Sequence, residues 1–165
     1  MVGEEIGMDC RHIKFCTDKE KIDLNQLLAL YQKNAFWAKN RCLEDVTVAI
    51  AHSNPVISVW DNKRLIGSAR ATSDGIYRAT IWDVVIDAEY QGLGLGRKLV
   101  ETLISHPLLN RVERIYLTTT HQQKFYQRIG FVENETTTMV LYNSYPNPED
   151  LLKQSQNLEE ISLNR

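Results

Sequence analysis

The chain has 165 residues, 43% of them hydrophobic and 24% charged, and its 19 Lys and Arg against 21 Asp and Glu give a formal net charge of −2. This length and balance exclude disordered and collagen-like sequence and suffice for a core without disulfide or metal staples. No basic surplus or stripe marks a nucleic-acid binder, and no apolar run nears the roughly 18 residues of a membrane span.

His12 to Cys16 reads as a short opening strand. Asp23 precedes Leu24, Leu27, Leu28 and Tyr31, a helical stripe, with Gln26 placed for a capping box. Ala35-Phe36-Trp37-Ala38 is an aromatic turn, suited to plug the core. A second helix over Leu43, Val46 and Ile50 stops at Ser53-Asn54-Pro55. Pro55 to Trp60 and Leu65 to Thr72 are strands joined by a hairpin at Asp61 to Arg64, and Arg78 to Ile86 completes an antiparallel meander. Gly94 to Ser105 has helical spacing, Arg114 to Thr119 is a strand, and His121 to Ile129 a short helix. Phe131 to Glu133 and Thr138 to Tyr142 supply the last pairings. Pro148 to Leu158 is a peripheral helix with its proline in the first turn.

The order ααβββαβαβ reads as one mixed α/β domain over residues 1–145, followed by a C-terminal extension over 146–165. Cys10, Cys16 and Cys42 form no CxxC pair and read as reduced, packed thiols. The first residues resemble neither a signal nor a transit peptide. The expected location is therefore the cytoplasm of a bacterium, or the plastid stroma if the chain is plastid-encoded. No metal, nucleic-acid or membrane partner is expected, and a homodimer stays open.

The most informative stretch runs from Ile81 to Val100. A strand enters the glycine-rich turn Gln91-Gly92-Leu93-Gly94-Leu95-Gly96, which opens directly into an amphipathic helix. Glycines let a backbone approach an anion, and the first-turn N–H groups of a helix point at it. Arg97 and Lys98 add cations, so the turn reads as a diphosphate cradle. A dinucleotide Gly-x-Gly-x-x-Gly fails at Arg97 or Leu99, and a P-loop fails for want of a hydroxyl after Lys98.

Gln91-x-x-Gly94-x-Gly96 resembles the acetyl-CoA loop of the GNAT acetyltransferase superfamily, and Tyr126-Gln127-Arg128-Ile129-Gly130-Phe131 resembles its Tyr-x-x-x-Gly-Phe element. Gly67 to Asp74 and Ala79 to Val85 further resemble the cyanobacterial and plastid subfamily, which includes serotonin N-acetyltransferase-like and plant nuclear-shuttle-interacting enzymes. The resemblance covers roughly residues 55 to 147. It implies a single-domain GNAT fold, a mixed and mostly antiparallel sheet flanked by helices. It also implies transfer of acetyl from acetyl-CoA to a primary amine, small or on a protein.

By the same resemblance, the backbone of Val84, Val85 and Ile86 pairs with the pantetheine arm. Gln91, Gly92, Leu93, Gly94, Leu95, Gly96 and Arg97 hold the diphosphate, and Tyr126 faces the leaving thiolate. Thr119, Thr120 and His121 stand near a position that is acidic in plant members. They read either as cofactor contacts, with His121 relaying a proton, or as a turn capped by Thr120. Trp82 and Trp37, with Phe36, read either as an aromatic wall for an arylalkylamine such as serotonin or tryptamine, or as core. Strand alternation puts Asp83 on the face opposite Thr80 and Trp82, and no general base is assigned. A protein lysine or N-terminal acceptor, or a non-catalytic acyl-CoA sensor, are the rival readings.

Overall fold

The computed structural model describes residues 11–136 and 138–141. They fall into two units, one ending at Phe131 and one beginning at Val132. The first unit contains strands β1 (Ile13–Cys16), β2 (Val56–Asp61), β3 (Arg64–Ser73), β4 (Arg78–Ile86) and β5 (Arg114–Tyr116). Its helices are α1 (Leu24–Asn34), α2 (Leu43–Ala51), α3 (Leu95–Ile104) and α4 (Gln123–Gln127). The strands lie side by side in chain order, antiparallel except for the parallel pair β4–β5.

Local chemistry sets the boundaries. Asp23 caps α1, its carboxylate accepting from the N–H groups of Asn25 and Gln26. Only the Asp23 half of the expected capping-box arrangement forms. Gln26 instead accepts from the Leu65 N–H at 2.9 Å and donates to the Lys63 carbonyl at 3.2 Å, satisfying hairpin groups that α1 covers. The β2–β3 hairpin turns at Asn62, whose φ of 53° suits an asparagine. Asp74 organises the β3–β4 turn by accepting from the N–H groups of Ile76, Tyr77 and Arg78.

The sheet separates two cores. On one face Ile57, Val59, Ile66, Ala69, Ala71 and Ile81 pack with Leu95, Leu99, Val100 and Leu103 of α3. On the other, Val56, Leu65 and Val85 pack with Leu27, Leu30 and Tyr31 of α1 and Val46 and Ile50 of α2. Covering both faces explains why the strands carry apolar residues at successive positions instead of alternating cleanly.

Several expectations are corrected. The turn Phe36–Ala38 does not plug the core, since Phe36 is 70% and Trp37 44% exposed while Ala38 is buried. Cys16 is half-buried and Cys42 exposed at the start of α2, so Cys42 is not a packed thiol. β5 stops at Tyr116, short of Thr119, where its pairing with β4 ends at Thr80↔Tyr116. The second unit forms no strand over residues 132–136 and 138–141. There the Asn134 side chain donates to Thr136 Oγ1 at 2.8 Å, a local bond that competes with a ladder. The helix expected over Pro148 to Leu158, the extension over 146–165, Tyr142 and Cys10 lie outside the described residues. Among the described residues no helix is long and apolar enough to cross a membrane.

Candidate active site

A cleft of about 540 Å³ opens where β4 parts from β5. The two strands pair only at Arg78↔Arg114, Ala79↔Ile115 and Thr80↔Tyr116. From Ile81 to Ile86, β4 therefore has no ladder partner on that side among the described residues, and its edge groups, apart from the Ile86 carbonyl that Gln91 holds, are open to a ligand. Val84 and Ile86 form one wall; Phe125, Tyr126 and Ile129 of α4 and its C-terminal turn form another. Gln91, Gly92, Gly94, Gly96 and Arg97 make the end where α3 begins, and Gln122 and Arg128 complete the lining.

The glycine turn has the geometry of an anion cradle. Gly92 and Gly94 take φ values of 81° and 78°, a left-handed conformation that a side chain disfavours, and Gly94 is the N-cap of α3. The first-turn N–H groups of α3 thus point out of its N-terminus with the helix dipole behind them. Gln91 ties the turn to the strand by donating to the Ile86 carbonyl at 2.9 Å. Of the two cations expected here, only Arg97 lines the cleft. Its Nε also pairs with Glu101 at 2.7 Å, whereas Lys98 turns away and stacks over Phe15 at 4.7 Å. Arg128 was missed by sequence reasoning; its position two residues after Tyr126, on the same short helical turn, was the available signal.

Tyr126 is half-buried between Phe125, with centroids 4.9 Å apart, and Phe131 at 5.8 Å, both edge to face. Burial pushes its phenol up from the ordinary value, so it keeps its proton through the neutral range. The ring positions a neutral donor on the cleft wall across from β4.

The other expected residues are dispersed. Val85 and Leu95 are buried in the two cores, and Leu93 stands exposed beside the turn. Thr119, Thr120 and His121 are not among the cleft-lining residues. Thr119 Oγ1 accepts from the Gln122 N–H at 3.1 Å, so Thr119 and not Thr120 organises the start of α4. The Thr120 carbonyl takes the Gln123 side chain. Trp37 and Trp82 lie outside the cleft on the α1–α2 face of the sheet, 44% and 40% exposed. The Trp82 indole N–H donates to Thr72 Oγ1 at 2.9 Å.

Asp83 corrects the assumed alternation. Between Ser68↔Val85 and Arg70↔Trp82, β3 advances two residues and β4 three, a β-bulge with Asp83 at φ 52°. The bulge turns Asp83 to the same face as Trp82, where Arg70 reaches both, its Nε 2.7 Å from the carboxylate and its guanidinium 5.8 Å from the indole ring.

A second carboxylate caps the turn Ala88–Tyr90 that leads from β4 to the glycine loop. Asp87, 4% exposed, follows β4 directly and accepts from Lys33 at 3.2 Å, Arg64 at 3.2 Å and the Glu89 N–H at 3.1 Å. Burial pushes its carboxyl up, but the Glu89 N–H, Lys33 and Arg64 together outweigh this and hold it below the ordinary value. As pH falls through about 4 the unfolded carboxylate takes a proton before the folded one does, so this stabilisation is complete above about pH 5 and is lost below. Asp87→Asn is expected to cost about 1–2 kcal/mol at pH 7, the partner cations being half exposed. Urea unfolding at pH 7 and pH 3 checks this: the gap between wild type and variant narrows at the lower pH.

Comparison with known proteins fits this geometry. The open strand edge, the glycine turn and the half-buried Tyr126 phenol meet in one cleft. The model of the acetyltransferase (GNAT) family matches residues 24–131, and the chain belongs to that family. It is 36% identical over 125 residues to the uncharacterized N-acetyltransferase ycf52 of Porphyra purpurea, covering 73% of this chain and 71% of the relative. It is 39% identical over 122 residues to the histone acetyltransferase TAP1 of Glycine max, covering 67% and 52%. A crystal structure of a GNAT-family protein from Xanthomonas campestris pv. campestris superposes with a TM-score of 0.70 at 27% identity, over 79% of this chain and 94% of that one. The protein is an N-acetyltransferase with the mixed α/β fold of this family.

Proposed function

We propose that this enzyme acetylates a small primary amine, an arylalkylamine such as serotonin or tryptamine, by direct attack of the neutral amine without an acyl-enzyme. Acetyl-CoA, when bound, supplies a thioester whose carbonyl carbon takes the amine and whose thiolate leaves. The observation that carries the reading is the Tyr126 phenol, protonated and set in the cleft wall opposite the unpaired edge of β4. In that position it donates to a developing thiolate, a general-acid role, and the proton shed by the attacking nitrogen passes through water and restores the phenol. Gly92, Gly94 and the first turn of α3 hold a diphosphate through backbone N–H groups, with Arg97 and Arg128 as the flanking cations. The edge groups of Val84 to Ile86, other than the Ile86 carbonyl that Gln91 holds, bond an extended amide arm as an added strand would. Trp37 and Trp82 stand outside the cleft on the α1–α2 face of the sheet, and in this reading an arylalkylamine approaches from that face and packs on their exposed indoles.

Acetylation of protein lysines or N-termini is the second reading, favoured by the histone acetyltransferase TAP1 among the relatives. A primary amine with pKa two to three units above working pH is deprotonated at a cost of about 3–4 kcal/mol, so neither reading requires a strong base. A bacterial cytoplasm or a plastid stroma is the compartment this reading implies.

Thiol release from acetyl-CoA tests it, with serotonin, tryptamine, a lysine peptide and a peptide with a free N-terminus as acceptors. Turnover of the arylalkylamines supports the favoured acceptor class. Turnover of the peptides alone moves the function to protein acetylation. Acetyl-CoA binding without turnover of any of these amines overturns the favoured acceptor and raises the reading of an acyl-CoA sensor.

A further inference from the structure

The Asp83 carboxylate ties the connection between α1 and α2 to β3 and β4. Its side chain is 7% exposed and accepts a bidentate fork from Arg41, Nη1 to Oδ2 at 2.7 Å and Nη2 to Oδ1 at 3.1 Å. Arg70 Nε adds a third bond to Oδ2 at 2.7 Å, and Arg70 Nη1 also holds Ser53 Oγ at 3.1 Å. Arg41 comes from the connection between α1 and α2. Its carbonyl accepts from the Gln32 side chain, and its guanidinium lies 4.7 Å from the Trp37 ring and 5.6 Å from the Tyr31 ring.

Asp83 also occupies the strained point of β4. A non-glycine residue at φ 52° within a strand is uncommon, and aspartate is among the few that tolerate it. The next residue, Val84, lines the cleft. A general base needs a free oxygen lone pair and room for the arriving proton, and both Asp83 oxygens already accept from guanidinium groups.

We propose that Arg41, Asp83 and Arg70 form a positioning latch: Arg70 holds the bulge that aims Val84 into the cleft, and Arg41 clamps the Trp37-bearing segment onto the same carboxylate. One side chain then sets both the acetyl-side strand and the amine-side loop. The amine half rests on the proposed role of Trp37, whereas the strand half does not depend on which amine is used.

Two substitutions separate the halves. Arg41→Gln frees the loop and leaves Arg70 on the bulge, so KM for the amine rises about tenfold while the acetyl-CoA Kd from calorimetry stays put. Asp83→Gly keeps the left-handed backbone without strain but removes both bridges, so the acetyl-CoA Kd also rises severalfold. Asp83→Asn, which retains one acceptor oxygen, recovers part of that loss. The latch is overturned if Arg41→Gln and Asp83→Gly leave both constants unchanged. It is equally overturned if Asp83→Gly lowers kcat alone and removes the acidic limb of the pH–rate profile, the signature of a base. Should the wild type turn over no amine in the panel, the acceptor reading fails and the acetyl-CoA Kd of Asp83→Gly still decides the strand half. Should Asp83→Gly not fold, the acetyl-CoA Kd of Asp83→Asn decides the strand half, an unchanged value overturning it, and Arg41→Gln decides the loop half.

Discussion

Tyr126→Phe is expected to lower kcat for acetyl transfer about a hundredfold while leaving acetyl-CoA affinity nearly unchanged. The substitution removes one oxygen from a ring whose position is fixed by apolar contacts. Phe125 and Phe131 pack against its edges and faces, and a phenyl ring fills the same space. Among the described residues no hydrogen bond engages the hydroxyl, so its loss orphans no protein group. Because burial raises the phenol above its ordinary value, the wild-type residue stays a donor at every pH used for assay. The defect is therefore flat across pH 6 to 9, and the variant gains no new ionisation there. Single-turnover rates with saturating acetyl-CoA and a saturating amine check the magnitude. A kcat within a factor of two of wild type would remove Tyr126 from the chemistry and leave it as packing.

Much of this fold was legible because its signals are local. Asp23 before an apolar stripe, two strands around Asp61 to Arg64, and alternating glycines between strand and helix each act over a few residues. The features that were misread depend on pairing or on tertiary competition. Period-two alternation holds only while two strands advance together. The extra residue at Asp83 breaks that step and changes which face the neighbouring side chains take, and nothing in Trp82-Asp83-Val84 announces it. Gln26 satisfies the rule for a capping box, yet a hairpin with unmet backbone groups lies within its reach and wins. Arg97 and Lys98 are adjacent and alike in charge. The helical step of about 100° sends one to the cleft and the other to Phe15. Arg128 was illegible for the opposite reason, since only the folded approach of α4 to the glycine turn gives it a role.

The second large effect is expected at the cradle and has a matched control elsewhere in the fold. Gly94→Ala should weaken acetyl-CoA binding about tenfold, whereas Gly75→Ala should not change it, although both are expected to lose about 1–2 kcal/mol of stability. The two glycines have nearly the same φ, 78° and 80°, and a Cβ on either meets nothing within 4 Å. Any steric difference between the variants is thereby removed, and the backbone penalty is common to both. They differ in what the left-handed residue does. Gly75 turns the β3–β4 hairpin beside Asp74, outside the cleft. Gly94 is the N-cap of α3 and lines the cleft, so relaxing its φ rotates the N–H groups that a diphosphate needs. Calorimetric titration with acetyl-CoA and a thermal melt on each variant separate the two quantities. Equal loss of affinity in both would mean that global destabilisation, not cradle geometry, governs binding. Loss confined to Gly94→Ala would place the diphosphate on the first turn of α3 by a measurement independent of turnover and of the acceptor.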